Sequence, residues 1–185
     1  MLTIWKSLVQ SKLDYCSQLW SPADQTSIIE LESVARHFTS KIDGMAGLDY
    51  WERLSSLSLY SQERRRERYQ IIFLWKVAQG LVQGDNATFI QSERRGRLMV
   101  LAPLCNQAPS AVRKARESSL QVRGARLFNC IPREIRDTVT GTPDMFKAKL
   151  DEWLSTIPDQ PTVPGRQRAA ATNSLLEQVT ATLQN

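Results

Sequence analysis

The sequence predicts a mainly α protein: a helical bundle of about five to seven helices, at most one short β element and a mobile C-terminal tail. Three observations carry this. Apolar residues recur at three- and four-residue spacing in several separate segments. Each segment is bounded by residues that start or stop helices, and only one short stretch reads as extended. With 185 residues, 42% of them hydrophobic, the chain has enough apolar material for a core in one domain or two small ones.

Leu2 to Leu13 opens the helical series, with Trp5, Leu8, Val9 and Leu13 on one stripe. Ser21-Pro22 then reads as a cap followed by proline at the first helical position, with Asp24 in the first turn. The stripe of that helix is Ile28, Leu31, Val34 or Ala35, Phe38 and Ile42, and Asp43-Gly44 and Gly47 end it. Asp49 and Glu52 have the spacing of a capping box for a short helix through Leu57. Ser61 to Val82 is the longest candidate, expected to begin on the surface and end buried, with Gly80 and Gly84 closing it. Its first turns hold Arg64, Arg65, Arg66 and Arg68, at the helix end where cations are disfavoured, offset in part by Glu63 and Glu67.

From Asp85 to Ser118 the periodicity weakens, and Arg97–Leu104 reads as a short strand stopped by Pro103, with Leu98, Val100 and Ala102 on one side. Ser119–Ile131 returns to helix and ends at Pro132. Thr142-Pro143-Asp144 repeats the cap, proline and acid signature ahead of the stripe Phe146, Leu150, Trp153 and Leu154. After Ile157, Pro158, Pro161, Pro164 and Gly165 read as a mobile linker before a weak terminal helix over 173–183. The expected core includes Trp5, Leu31, Phe38, Leu74, Phe128, Phe146 and Leu150. The expected division is 1–84, 85–157 and a flexible tail, 158–185.

Charge is unevenly spread. Residues 1–92 hold ten basic and ten acidic side chains, so the net +5 lies in 93–185. Between Arg94 and Arg126 eight basic residues face one acid, Glu117. Such a local excess points to a polyanionic partner, against the plainer reading of a solvated face. The candidate nucleic-acid contacts are Arg94, Arg95, Arg97, Arg113, Lys114, Arg116, Arg123 and Arg126, with Arg64, Arg65, Arg66 and Arg68 secondary.

Several chemistries lack their residues. Asp151-Glu152 is the one adjacent acidic pair, so a two-metal polymerase or nuclease centre is poorly supported. His37, the single histidine, has no second histidine for zinc and reads as a core or partly buried residue. Neither GxGxxG nor GxxxxGK[ST] occurs. Catalytic residues, metal sites and cofactors are therefore all expected to be none. No stretch reaches the 18 or so apolar residues of a membrane helix. Three widely separated cysteines, Cys16, Cys105 and Cys130, suggest a reducing, intracellular setting, nuclear or cytoplasmic.

Six segments, in order, carry a resemblance: Ser7–Pro22 (SLVQSKLDYCSQLWSP), Ile29–Lys41, Leu48–Arg65 (containing LDYWERL and LSLYSQERR), Phe73–Val77, Val122–Pro132 (VRGARLFNCIP) and Phe146–Leu150 (FKAKL). Together they resemble the region following the palm in reverse transcriptases of non-LTR (LINE-type, jockey-like) retrotransposons. Where that family has LWN, this chain has Leu127-Phe128-Asn129, an apolar swap. The resemblance implies a thumb-like helical region over 1–84 and a basic post-thumb region over 85–157, lying against the primer–template duplex. No position matches the palm's metal-binding aspartates, so no catalytic role carries over. The implied function is that of a non-catalytic C-terminal fragment of an RNA-directed DNA polymerase, contacting RNA or RNA–DNA hybrid without reading sequence. A reverse-transcriptase palm domain is a further candidate partner. The alternatives are a helical protein-interaction module and a mobile-element relic without activity of its own.

Overall fold

The computed structural model describes residues 1–22, 24–82, 89–92, 98–101, 109–137, 142–167 and 172–184, with 89–92, 98–101, 114, 118, 183 and 184 described by backbone alone. Ten helices occur among the described residues. They exceed the expected five to seven because several are single turns. Helix α1 comprises Leu2–Ile4, the wider π-type turns of Trp5–Gln10, and Ser11–Asp14. It is followed by α2 (Ser17–Trp20), α3 (Gln25–Thr39), α4 (Tyr50–Ser56) and α5 (Gln62–Ala78). Strands β1 (Phe89–Ser92) and β2 (Leu98–Leu101) pair antiparallel, with Phe89 opposite Leu101 and Ser92 opposite Leu98. Then come α6 (Ser110–Ser118), α7 (π-type Leu120–Gly124 continuing as Ala125–Cys130), α8 (Arg133–Arg136), α9 (Pro143–Ser155) and α10 (Leu175–Gln184).

Side-chain caps mark the starts of α3, α4 and α9. Asp49 accepts from the Glu52 N–H at 3.0 Å, and Glu52 returns the bond to the Asp49 N–H at 2.8 Å, completing the expected capping box of α4. Thr142 caps α9 by accepting from the Met145 N–H, with Pro143 next. The start of α3 differs from expectation. Asp24 rather than Ser21 is its cap, accepting from the Ser27 N–H at 2.8 Å, and Ser21 instead ends α2. Gly80, at φ +68°, stops α5 as expected, and the Leu81 N–H reaches back to the Lys76 carbonyl at 2.9 Å. The strand expected over 97–104 is present as β2, whereas β1 and α6 lie where no regular element was read.

The chain forms two compact units. The first combines Met1–Arg66 with Pro158–Gln178. Its apolar cluster is Trp5, Ala35, Tyr50 and Leu54, with Val9, Leu13, Phe38, Trp51 and Val163 packed against it. Trp5 and Phe38 approach to 4.9 Å between ring centroids. Residues 158–167 and 172–178 are docked here, correcting the flexible tail. The Trp51 indole N–H donates to the Pro161 carbonyl at 2.9 Å, and Asn173 and Leu175 are buried. The stripe of α1 is correct for Trp5 and incorrect for Leu8, which is exposed.

The second unit combines Glu67–Ile157 with Val179–Asn185, so the division falls inside α5 rather than near residue 84. Its core holds Ile71, Leu74, Trp75, Leu127, Phe128, Phe146 and Leu150. Trp75 stacks on Phe146 at 4.6 Å and 11°. A Cβ on Gly124 would meet Leu74 Cδ1 at 2.9 Å, so the missing side chain leaves room for the buried Leu74 side chain of α5. No helix among the described residues is long and apolar enough to cross a membrane.

Candidate nucleic-acid interface

Four arginines near the start of α5 meet opposing demands: the helix dipole disfavours cations there, and Ser61, Gln62, Arg64, Arg66 and Glu67 are buried. The structure resolves this with acceptors from this chain. Arg64 Nη2 donates to the carbonyls of Pro158 (3.1 Å) and Asn173 (3.3 Å) and to Gln178 Oε1 (3.3 Å). Arg65 grips Asp14 with Nε and Nη2, the closest contact at 2.7 Å. Arg66 Nη2 donates to the Leu13 carbonyl at 3.2 Å, its guanidinium lies 4.3 Å from the Trp20 ring centroid, and burial lowers its pKa. Arg68 forms a two-pronged pair with Asp151, one bond at 2.7 Å.

The secondary candidates Arg64, Arg65, Arg66 and Arg68 are thus held by intramolecular acceptors. The expectation of a surface start to α5 fails for a specific reason. In the first unit, Asp159 and Asn173 cover this turn: Asp159 accepts from the Ser61 N–H (2.7 Å) and hydroxyl (2.6 Å), and the Asn173 amide donates to Asp159, Ser61 and Glu63.

Primary candidates on α6 and α7 of the second unit differ in exposure. Helix α6 carries Arg113, exposed, and Arg116, half-buried, three residues apart and so on one face. Lys114 lies on the same helix, described by backbone alone. Arg126 on α7 is exposed, whereas Arg123 Nη2 lies 3.4 Å from the buried Glu67 carboxylate. Arg94, Arg95 and Arg97 lie outside the described residues. Of the eight primary candidates, the structure therefore presents Arg113, Arg116 and Arg126 with solvent access and commits Arg123 to a buried acid.

Two further clusters of polar groups lie in the first unit. Glu32 is buried on α3, accepting from the Tyr50 hydroxyl and from the Gln62 N–H at 2.9 Å. Burial pushes its pKa up to about 8, with the nearby Asp159 charge acting in the same direction and the two donors opposing. Burial and the Glu32 charge raise the pKa of Tyr50 in turn. On another face of α3, Ser33, Arg36, His37 and Ser40 line an open pocket of about 470 Å³ with Arg53 of α4. The sequence reading placed His37 at the apolar stripe. It is exposed instead, and the i, i+3, i+4, i+7 spacing of these four residues was the available signal.

Among the described residues no group of three or more His, Cys, Asp or Glu is placed to hold a metal ion. Comparison with protein-family models, curated proteins and solved structures yields no match.

Proposed function

We propose that this chain is the helical, non-catalytic C-terminal part of a LINE-type retrotransposon reverse transcriptase, and that it holds RNA or RNA–DNA hybrid by its phosphates. The observation that carries this reading is the order and spacing of six resembling segments along the chain. Charge sorting supports it. Arg113 and Arg126 are exposed and Arg116 is half-buried, all three in the region that holds the local positive excess. Arginine suits the task because its planar fork engages two phosphate oxygens together.

Fluorescence anisotropy with a short RNA–DNA hybrid, repeated across salt concentrations, tests the reading. Each phosphate neutralised on a duplex contributes about −0.9 to the slope of log K against log salt. Replacing Arg113, Arg116 and Arg126 by alanine is expected to flatten that slope by about 2 to 3. Binding weaker than about 100 μM at low salt overturns the proposal.

A second reading, a protein-interaction module docking on a polymerase palm, is favoured by one observation. Ile4, Leu8, Tyr15, Leu19 and Trp20 expose large apolar surfaces within the first twenty residues. Concentration-dependent self-association or dye binding, abolished by Leu8→Ser with Leu19→Ser, distinguishes it.

A further inference from the structure

The pocket on α3 has an unusual lining. All five of its residues, Ser33, Arg36, His37, Ser40 and Arg53, are polar, and two carry a full positive charge. Aliphatic stems form part of its wall, and the groups able to recognise a ligand there are two guanidiniums, an imidazole and two hydroxyls, a set suited to an anion.

Arg53 is the fixed element. It is buried, and its acceptors are neutral: Nε donates to Thr39 Oγ1 at 3.2 Å, Nη1 to the Leu48 carbonyl at 2.7 Å and Nη2 to the Arg36 carbonyl at 3.3 Å. These bonds use three of the five guanidinium N–H groups and hold the side chain at the end of α3. Neither Arg53 nor Arg36 has a carboxylate at ion-pair distance among the described residues. The negative end of the α3 dipole amounts to roughly half a charge, less than the two arginines bring. Two arginines therefore line the pocket with no carboxylate at ion-pair distance among the described residues, a setting that favours an anion.

Ligand class follows from the donors. Arg36, His37 and Arg53 line one open space, and each side chain carries N–H donors. Ser33 and Ser40 hydroxyls, now bonded to the carbonyls of Glu30 (2.6 Å) and His37 (2.7 Å), are free to rotate toward a ligand. A carboxylate has two oxygens to offer such a set, and a tetrahedral phosphate has more. We propose that this pocket is a phosphate-binding site, with Arg53 and Arg36 supplying charge and His37 a third donor. The inference does not depend on the proposed function, because the phosphate group of a polynucleotide and that of a small phosphorylated molecule share this chemistry.

The test is a titration of the whole ¹⁵N-labelled chain with inorganic phosphate, against sodium chloride and sodium acetate at matched ionic strength. Saturable shifts are expected at His37 and around Arg36 with phosphate alone. Arg36→Ala should weaken phosphate binding about tenfold. Its melting temperature should be unchanged, since the Arg36 group that Arg53 contacts is the backbone carbonyl. Arg36→Lys should fall between the two, keeping charge and losing the fork. Equal responses to acetate or chloride, or an Arg36→Ala titration matching the unaltered chain, overturn the proposal. Adding a ribonucleoside monophosphate and an RNA–DNA hybrid separates the sources: a polynucleotide ligand requires the hybrid to shift His37 at lower concentration than the mononucleotide, and a small phosphorylated ligand requires the reverse. Arg113, Arg116 and Arg126 are left intact throughout, so failure here is distinct from failure of the salt-slope experiment.

Discussion

Glu32 is expected to make the stability of this protein fall as pH rises through neutrality. Its carboxyl is 2% exposed and its pKa is pushed from 4.5 to about 8, so between those values the folded chain binds a proton that the unfolded chain has released. The stabilisation is thus complete below the unfolded pKa and lost as pH passes the folded one. With these two values, linkage gives a loss of roughly 2–3 kcal/mol between pH 5 and 7 and about 1 kcal/mol more by pH 8. Glu32→Gln removes the titration while keeping shape. Its amide oxygen still accepts from the Gln62 N–H, and its NH₂ donates to a rotated Tyr50 hydroxyl, reversing the present bond. Urea unfolding followed by circular dichroism at pH 5, 6.5 and 8 reads the effect. The unaltered chain should lose stability in that series, and Glu32→Gln should stay nearly flat and be the more stable of the two at pH 8. Arg66 and Asp159 act on the same carboxyl with opposite sign, and neither is altered in the comparison. Parallel pH profiles for the two proteins would refute the reasoning.

Three other outcomes follow from the packing. Truncation after Ile157 should lower the melting temperature by several degrees, and Asn173→Ala alone should cost about 1–3 kcal/mol, because it leaves Ser61, Glu63 and Asp159 short of a donor; unchanged thermal melts would show the segment undocked. Phe146→Ala, opposite Trp75, should cost about 3–5 kcal/mol in denaturant titration, and Phe38→Ala, half-buried, distinctly less. Arg65→Ala should lower stability through loss of the Asp14 pair while leaving the salt slope of hybrid binding unchanged, the reverse of the effect expected at Arg113 and Arg126.

What the sequence determined by itself is local. The Asp49–Glu52 box, the Thr142-Pro143 start, the Gly80 stop and the buried positions of Trp5, Leu74, Phe128, Phe146 and Leu150 depend on groups within a few residues or on the helical period, and all are legible without a structure. Tertiary structure decided the fate of the charges and of the chain's last segment. Arg65 finds Asp14 across 51 residues, and Asn173 finds Ser61 across 112. No periodicity encodes such pairings. An arginine on a helix start reads the same whether it faces solvent or a carbonyl on a returning segment, and a proline-rich stretch reads as mobile until something packs beneath it. Leu8 shows the converse limit: the stripe it shares with Trp5 is real, but whether a stripe is covered depends on what lies opposite, and nothing in α1 records that.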